Sequence, residues 1–419
     1  MNLTGKKILI LAGASLHIKI VKAAKELGVY TIVTDNLKPE DSPAKLIADE
    51  YWMNNIFDID NIVQKCKEEK VDGVIAFCID PTQIPYQRIC EKLNVPCYGS
   101  KEQFRIFTNK QLFKEFCKKY NVNVIPEYSI NDILNNNVNY PVLVKPTDSR
   151  GSRGINICYN KEETLKAITI ASNESSNKGV IIEQYFNDAD DMSFAYMVVN
   201  KIPYLVKIGD RILGDKKDNL QCQQMVAILP SKYKQKYIEL VEPNIKEMIK
   251  GLGLEFGAVF LQGFWKDNKV YMYDPGLRFP GTDFDVVTKK VTGFDAMKSF
   301  VRFALTGDIK SCYGDINLAY NYNDKFCLIL SVSIKAGEID IIEGIDEIVK
   351  HPYVIDYYQR YRKGDVIFNS GDIRQRALEF VTYIPSYIEI KSFIKYVYKT
   401  LKIIDTNGDD MIVSRVVLN

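Results

Sequence analysis

Val142-Leu-Val-Lys145-Pro-Thr-Asp-Ser149-Arg150-Gly151-Ser152-Arg153-Gly154 places a lysine inside an apolar strand that runs directly into a loop of glycine, serine and arginine. Lysine is ordinarily a surface residue, so Lys145 at this point asks for an anionic partner. A loop of such composition can fold its backbone amides around phosphate oxygens while the lysine supplies a point charge. It is not a Walker A sequence, because no Gly-Lys-Ser/Thr follows a four-residue gap after glycine. Taken alone, the segment is either a phosphate loop or a basic surface turn.

The flanking sequence bears on that choice. Upstream, Thr108-Asn-Lys110-Gln111 has capping-box form and predicts a helix beginning near Thr108. Lys110 would then sit in the first turn, where the helix dipole disfavours a cation, so it either is merely solvated or meets an anion. Downstream, Val180-Ile-Ile-Glu183-Gln184-Tyr185-Phe186 reads as a buried strand ending in polar and aromatic residues, followed by Asp188, Asp190 and Asp191. Such a strand end, with a carboxylate after it, suits adenine and ribose hydroxyls; the alternative is a charged connecting loop. Lys207 and Arg211, on or after the strand PYLVKI, are candidate partners for a substrate carboxylate, or else surface charge.

A further constellation runs from Phe260 to Arg278, where two apolar strands meet at Asp267-Asn268. Asp274 can hold Mg²⁺ or Mn²⁺ between phosphates, and Arg278 can balance charge on a phosphoryl group in transfer. The plainer reading is an Asp274–Arg278 ion pair. Register decides whether Gln262 joins Asp274. A two-residue turn pairs Gln262 with Tyr273 and sends Asp274 to the other face, whereas a three-residue loop pairs Phe260 with Asp274 and brings Gln262 to the same face.

Before this unit, strands at Lys6 to Leu11, Tyr30 to Thr34 and Asp72 to Cys78 alternate with helical spacing, as in an open, helix-covered parallel sheet. Gly13-Ala14-Ser15 and Asp35 mimic a dinucleotide fingerprint, but Ser15 and Ile18 stand where its second and third glycines belong and would obstruct pyrophosphate. The expected fold class is therefore α/β and α+β, with an α/β domain over 1–105, a central domain over 106–320 carrying a mobile lid at about 125–200, and a small α+β domain over 321–419.

Composition narrows function. Lys+Arg 55 against Asp+Glu 53 leaves a net charge of +2 in 419 residues, so no bulk field recruits nucleic acid or an anionic membrane. Nine scattered cysteines without Cys-x-x-Cys spacing predict reduced, mostly buried thiols, and two histidines leave little for a histidine metal centre. No apolar run reaches membrane-spanning length and no signal peptide is read, so a cytoplasmic protein is expected.

The order of these parts resembles the ATP-grasp superfamily, close to the branch holding biotin carboxylase, carbamoyl phosphate synthetase and the purine-pathway ligases. The resemblance spans essentially the whole chain, including Asp35, Ser42-Pro43-Ala44 and Ala48-Asp49 in the opening domain. It implies that Lys110 and Lys145 contact ATP, and that Ser149 to Gly154, with Gly151 and Ser152, form the mobile phosphate loop. Glu183, Gln184, Tyr185 and Phe186 become the adenine hinge, and Asp191 the ribose carboxylate. Gln262 and Asp274 become metal ligands and Arg278 the active-site arginine. The superfamily usually has Glu at position 262 and Glu-x-Asn-x-Arg where this chain has Asp274-Pro-Gly276-Leu-Arg278. The implied function is ATP-dependent activation of a small-molecule carboxylate for attack by an amine, in a possible homodimer. A phosphoribosylglycinamide synthetase-like ligase and a non-catalytic ATP-binding sensor are the alternatives.

Overall fold

The computed structural model describes residues 2–147, 154–175, 177–214, 223–281, 284–310, 324–371 and 373–418. The opening unit is a four-stranded parallel sheet in the order Glu50–Met53, Tyr30–Asp35, Lys7–Leu11, Gly73–Ala76. The strands Lys7–Leu11, Tyr30–Asp35 and Gly73–Ala76 are largely buried and rich in Val, Ile and Leu, with helices packed on the sheet, among them His17–Glu26, Ile59–Glu68 and Gln83–Leu93. Asp35 closes this unit internally. It accepts from the Gly13 amide at 2.8 Å and from Ser42 Oγ at 2.7 Å, and pairs with the buried Lys45 at 2.6 Å. A Cβ on Gly13 would lie 2.1 Å from Ser42 Oγ, so this glycine serves packing and not pyrophosphate.

The helix expected from Thr108 begins later, and the structure corrects its cap. Thr108 ends the helix Lys101–Thr108, whose capping box is Ser100 with Gln103. The next helix, Lys110–Lys119, is capped by Asn109, whose Oδ1 accepts from the Leu112 amide at 3.0 Å. Further along, two successive helices, Lys234–Leu240 and Glu242–Gly251, are broken where Pro243 cannot donate a backbone hydrogen bond.

A three-stranded antiparallel sheet, in the order Asn156–Cys158, Val142–Pro146, Val180–Gln184, lies within the residues where a lid is expected. Val142 and Val144 are buried with Ala167 and Ala171 of the helix Lys161–Glu174. Strand alternation then turns Leu143 and Lys145 to the other face. The largest sheet runs Lys269–Gly276, Phe256–Lys266, Asp190–Val199, Ile202–Leu213, Gln224–Leu229, Phe326–Ile334, Arg376–Ile384, Val354–Gln359, with Ile412–Val413 added beside Phe326–Ile334. It crosses residue 321 without a break: Val226 pairs with Leu330 and Leu229 with Cys327. The third region is thus partly an extension of the central sheet, because Val226 and Ile228 share a core with Leu328, Leu330 and Phe380. No described helix is long and apolar enough to cross a membrane.

Candidate active site

The hairpin of Phe256–Lys266 and Lys269–Gly276 resolves the register in a way neither expectation anticipated. Asp267 and Asn268 both adopt positive φ, at 50° and 58°, and form a two-residue turn that pairs Lys266 with Lys269. A β-bulge then inserts Tyr273, so that Gln262 lies opposite Asp274. Directly paired residues share a sheet face, and Ser193 is the next residue across from Gln262. The two proposed metal ligands are therefore neighbours, placed there by the bulge and not by loop length.

Asp274 does not pair with Arg278. Lys110 Nζ approaches Asp274 Oδ1 at 3.6 Å, while Arg278 Nη2 donates to Asp80 Oδ2 at 2.8 Å and its Nε donates to Asp80 Oδ1. Arg278 Nη1 also donates to the Phe279 carbonyl at 2.8 Å. Burial raises the Asp274 pKa above the ordinary carboxylate range, and Lys110 offsets only part of that.

On the lid, Lys145 pairs with Glu183, whose other oxygen accepts from Lys114 Nζ at 2.8 Å; Lys114 also pairs with Glu127. Burial pushes the Glu183 carboxyl up, but Lys145 and Lys114 outweigh it and hold the group below its ordinary value. Gln184 is fixed by its amide to Pro126 O at 2.9 Å, its Nε2 to Pro141 O at 2.9 Å, and its Oε1 to Tyr128 at 2.7 Å. The Tyr185 amide donates to Pro141 O at 3.0 Å. Phe186 packs on Tyr271, with ring centroids 4.8 Å apart, and on Phe264 at 6.3 Å. These rings form an aromatic wall where the hinge meets the hairpin.

Asp191 and Arg211, expected to serve ribose and substrate, face each other instead. Arg211 Nη1 donates to both Asp191 oxygens at 2.9 and 3.0 Å, and Tyr273 donates to Asp191 Oδ1 at 3.0 Å. Arg211 Nε reaches Gln224 Oε1 at 3.0 Å. This network is nearly sealed from solvent, so neither residue is the exposed surface charge that one reading allowed. Lys207 is 2% exposed and stands opposite Ala195 on the strand Asp190–Val199. Ser149, Gly151 and Ser152 lie outside the described residues, while Gly154, described and at φ 72°, opens the chain toward Asn156–Cys158.

Sequence reading missed Lys114, Asp80, Ser193 and the Arg376–Glu379 pair. Lys114 had a signal: it follows Phe113 on the helix face that also buries Cys117. Asp80 follows the strand Gly73–Ala76 at the carboxyl edge of a parallel sheet, where open α/β folds bind ligands. Ser193 Oγ is buried without a hydrogen-bond partner. Arg376 Nη1 donates to Glu379 at 2.8 Å and its Nη2 to Gln224 O at 3.2 Å, extending the polar floor into the third region. Of the seven cysteines described as free, six are buried, and burial pushes the thiols of Cys66, Cys78, Cys117 and Cys327 up to about 12, which suits structural and not reactive cysteines.

A three-stranded sheet carrying a lysine–carboxylate pair, an aromatic strand end and a carboxylate-bearing hairpin have counterparts to be sought among known proteins. Residues 109–311 match the family model of the carbamoyl-phosphate synthase L chain ATP binding domain. Phosphoribosylglycinamide synthetase from Anaerococcus prevotii superposes with a TM-score of 0.78 at 22% identity, covering 96% of this chain and 100% of that one. L-amino acid ligase from Bacillus licheniformis superposes at 0.77 and 19% identity, over 96% and 100%. Biotin carboxylase 1 of Bacillus subtilis is 24% identical over 71% of this chain and 70% of its own length. Formate-dependent phosphoribosylglycinamide formyltransferase of Prochlorococcus marinus is 26% identical over 62% and 67%. Residues 109–311 are thus similar to an ATP binding domain, and the chain shares the fold of these solved structures over nearly its whole length.

Proposed function

We propose that the chain phosphorylates a small-molecule carboxylate with ATP and passes the resulting acyl phosphate to an amine. The observation that carries this reading is the bulge that sets Gln262 opposite Asp274, because it gathers metal-type oxygen donors on one sheet face, with Lys110 3.6 Å from Asp274. Glu183 to Phe186 would read adenine through the strand end, with the base against Phe186 and Tyr271. Lys145, Lys110 and Arg278 would balance phosphate charge, chemistry resting on positioning and electrostatics. Asp191 and Arg211 would act together, the arginine holding the carboxylate toward ribose, and Lys207 would face the substrate carboxylate.

The donor set fits Mg²⁺ with reduced charge. Asp274 supplies one anionic oxygen and Gln262 a neutral one, and Mg²⁺ is commonly held by one or two carboxylates together with substrate phosphates and water. When bound, Mg²⁺ would supply charge neutralisation between the phosphates.

A cytoplasmic setting, where ATP is available, and assembly as a homodimer belong to the same proposal. The biotin carboxylase domain of the Hydrogenobacter thermophilus 2-oxoglutarate carboxylase, described as a dimer, superposes with a TM-score of 0.74. The test is a panel of acids with ATP, Mg²⁺ and hydroxylamine. One hydroxamate per phosphate released is expected with the right acid, and both signals are lost together in Asp274→Ala. ATP binding with no hydroxamate from any acid would favour the sensor alternative.

A further inference from the structure

The helix Gln83–Leu93 ends on Asn94 in the left-handed conformation, at φ 56° and ψ 44°, and the Val95 amide turns back to donate to the Cys90 carbonyl at 3.1 Å. Tyr86 and Cys90 stand one turn apart on the same helix face. The returning chain packs against that face: the Tyr98 amide donates to the Tyr86 hydroxyl at 3.3 Å, and the two tyrosine rings lie 5.2 Å apart. Cys97 is thereby set beside Cys90, whose thiol hydrogen-bonds to it, and the Tyr86 hydroxyl hydrogen-bonds to both sulfurs. Cys97 Sγ also donates to the Gly99 carbonyl at 3.2 Å. The two sulfurs differ in character. Cys90 is fully buried, and burial pushes its thiol well above the ordinary range. Among the seven described cysteines, Cys97 alone is not buried, and the hydrogen bond from Cys90 holds its thiol below the ordinary value against the effect of partial burial. A half-exposed thiol with favoured thiolate, next to a second thiol, is the arrangement in which an oxidised sulfur can be captured.

We infer that Cys97 and Cys90 form an oxidation site, in which hydrogen peroxide acts on Cys97 and Cys90 resolves the product as a disulfide. The Cys97 thiolate attacks one peroxide oxygen, the O–O bond breaks, and the hydroxide that leaves is neutralised by the proton Cys97 has given up. The Cys90 sulfur then attacks the sulfenic sulfur of Cys97, the S–O bond breaks, and the departing hydroxide takes the Cys90 proton as water. Two thiols and one peroxide become one disulfide and two waters, the sulfurs supplying both electrons. In a reducing compartment a bond of this kind is transient. The site also has a route to Arg278. Tyr98 follows Cys97, its hydroxyl donates to Leu277 O at 3.0 Å, and Leu277 precedes the arginine that holds Asp80. A covalent bond brings the two sulfurs closer than a hydrogen bond does, so it draws Cys97 toward the helix and Tyr98 with it. Control of turnover through this route rests on the acyl-phosphate reading above.

Peptide mapping of the full chain tests this. Trypsin cuts after Arg88, Lys92 and Lys101, so the two cysteines fall in different peptides, Ile89–Lys92 and Leu93–Lys101. After treatment with hydrogen peroxide, alkylation and digestion without reductant, mass spectrometry should find these two peptides joined, and dithiothreitol should release them. In Cys90→Ala, dimedone should trap Cys97 as the sulfenic acid, and in Cys97→Ser, Cys90 should stay reduced. Cys97 recovered in alkylated form from the oxidised parent, or carried on to sulfinic acid while Cys90 is alkylated, would overturn the inference. Hydroxamate yield should fall severalfold on oxidation of the parent and recover with dithiothreitol, while Cys97→Ser is unaffected by peroxide. Joined peptides with an unchanged yield would overturn the route through Tyr98. No hydroxamate from the reduced parent would sink the acyl-phosphate reading, and the peptide map would still decide the oxidation site.

Discussion

Glu183 shows how one residue can tie structure to ligand affinity. Its carboxylate is 6% exposed and stands between Lys114 and Lys145, so removing it leaves two cations facing each other in a poorly solvated place. Glu183→Gln should destabilise the protein at neutral pH by about 3–5 kcal/mol, the usual cost of breaking a buried pair from one side. The sign with pH follows from the depressed pKa. The pair's contribution is fully present above the ordinary value of 4.5 and is lost as pH falls through the lower folded value. Urea denaturation across acidic pH should therefore show the gap between parent and variant closing below 4.5. Lys145→Ala should weaken ATP binding by about 1.5–3 kcal/mol by titration calorimetry, the value of a charge-assisted contact. ATP bound as tightly by that variant would make Lys145 a partner of Glu183 and nothing more.

At the scale of elements, the hairpin is the informative one. Its turn obeys local rules, since Asp-Asn at two positive-φ positions gives the twist a two-residue connection requires. The bulge obeys tertiary ones. Tyr273 is drawn out of alternation because its hydroxyl reaches Asp191 and Arg211 and its ring stacks on Phe264 at 4.8 Å. Gln262→Glu should restore a second charged donor opposite Asp274 and lower the Mg²⁺ concentration for half-maximal nucleotide binding on the order of tenfold, given how strongly hard-cation affinity follows ligand charge. Deleting Tyr273 removes the bulge yet leaves Asp274 opposite Gln262 in a regular two-residue hairpin, so Mg²⁺-dependent nucleotide binding should persist while Asp191 and Arg211 lose the hydroxyl between them. An unchanged Mg²⁺ requirement in Gln262→Glu would remove Gln262 from the metal site.

Across the whole molecule, the units expected at 106–320 and 321–419 share one sheet and one core. Gln224–Leu229 has Ile202–Leu213 on one side and Phe326–Ile334 on the other. A chain ending at residue 320 would expose that edge and the apolar residues behind it, the configuration that promotes edge-to-edge association. Such a fragment should aggregate on expression, whereas the full chain should show one cooperative transition for the central and third regions by calorimetry. A soluble, monomeric 1–320 fragment with native-like circular dichroism would contradict this. The first unit is tied on by Arg278 to Asp80 and by Tyr98, whose hydroxyl donates to Leu277 O at 3.0 Å.

The sequence by itself determined what depends on neighbours along the chain. Parallel strands of the first unit, the apolar faces of helices, the lysine interrupting Val142–Pro146 and the hairpin turn at Asp267-Asn268 were all legible, because propensity, period and turn chemistry act over a few residues. The match of Lys145 to a buried carboxylate is half legible: the lysine is conspicuous in its apolar strand, but nothing in the sequence near Glu183 marks it as the partner. What only tertiary structure decided were the pairings made across long separations. Asp80 meets Arg278 across 198 residues, Lys114 meets Glu183 across 69, and Arg211 meets Asp191 instead of solvent. The bulge at Tyr273 belongs with these, since a strand's alternation is local but the contact that breaks it is not. A charged residue's sequence surroundings say that it needs a partner; which partner it finds is set by the packing of the whole chain, where desolvation makes an unpaired charge too costly to leave alone.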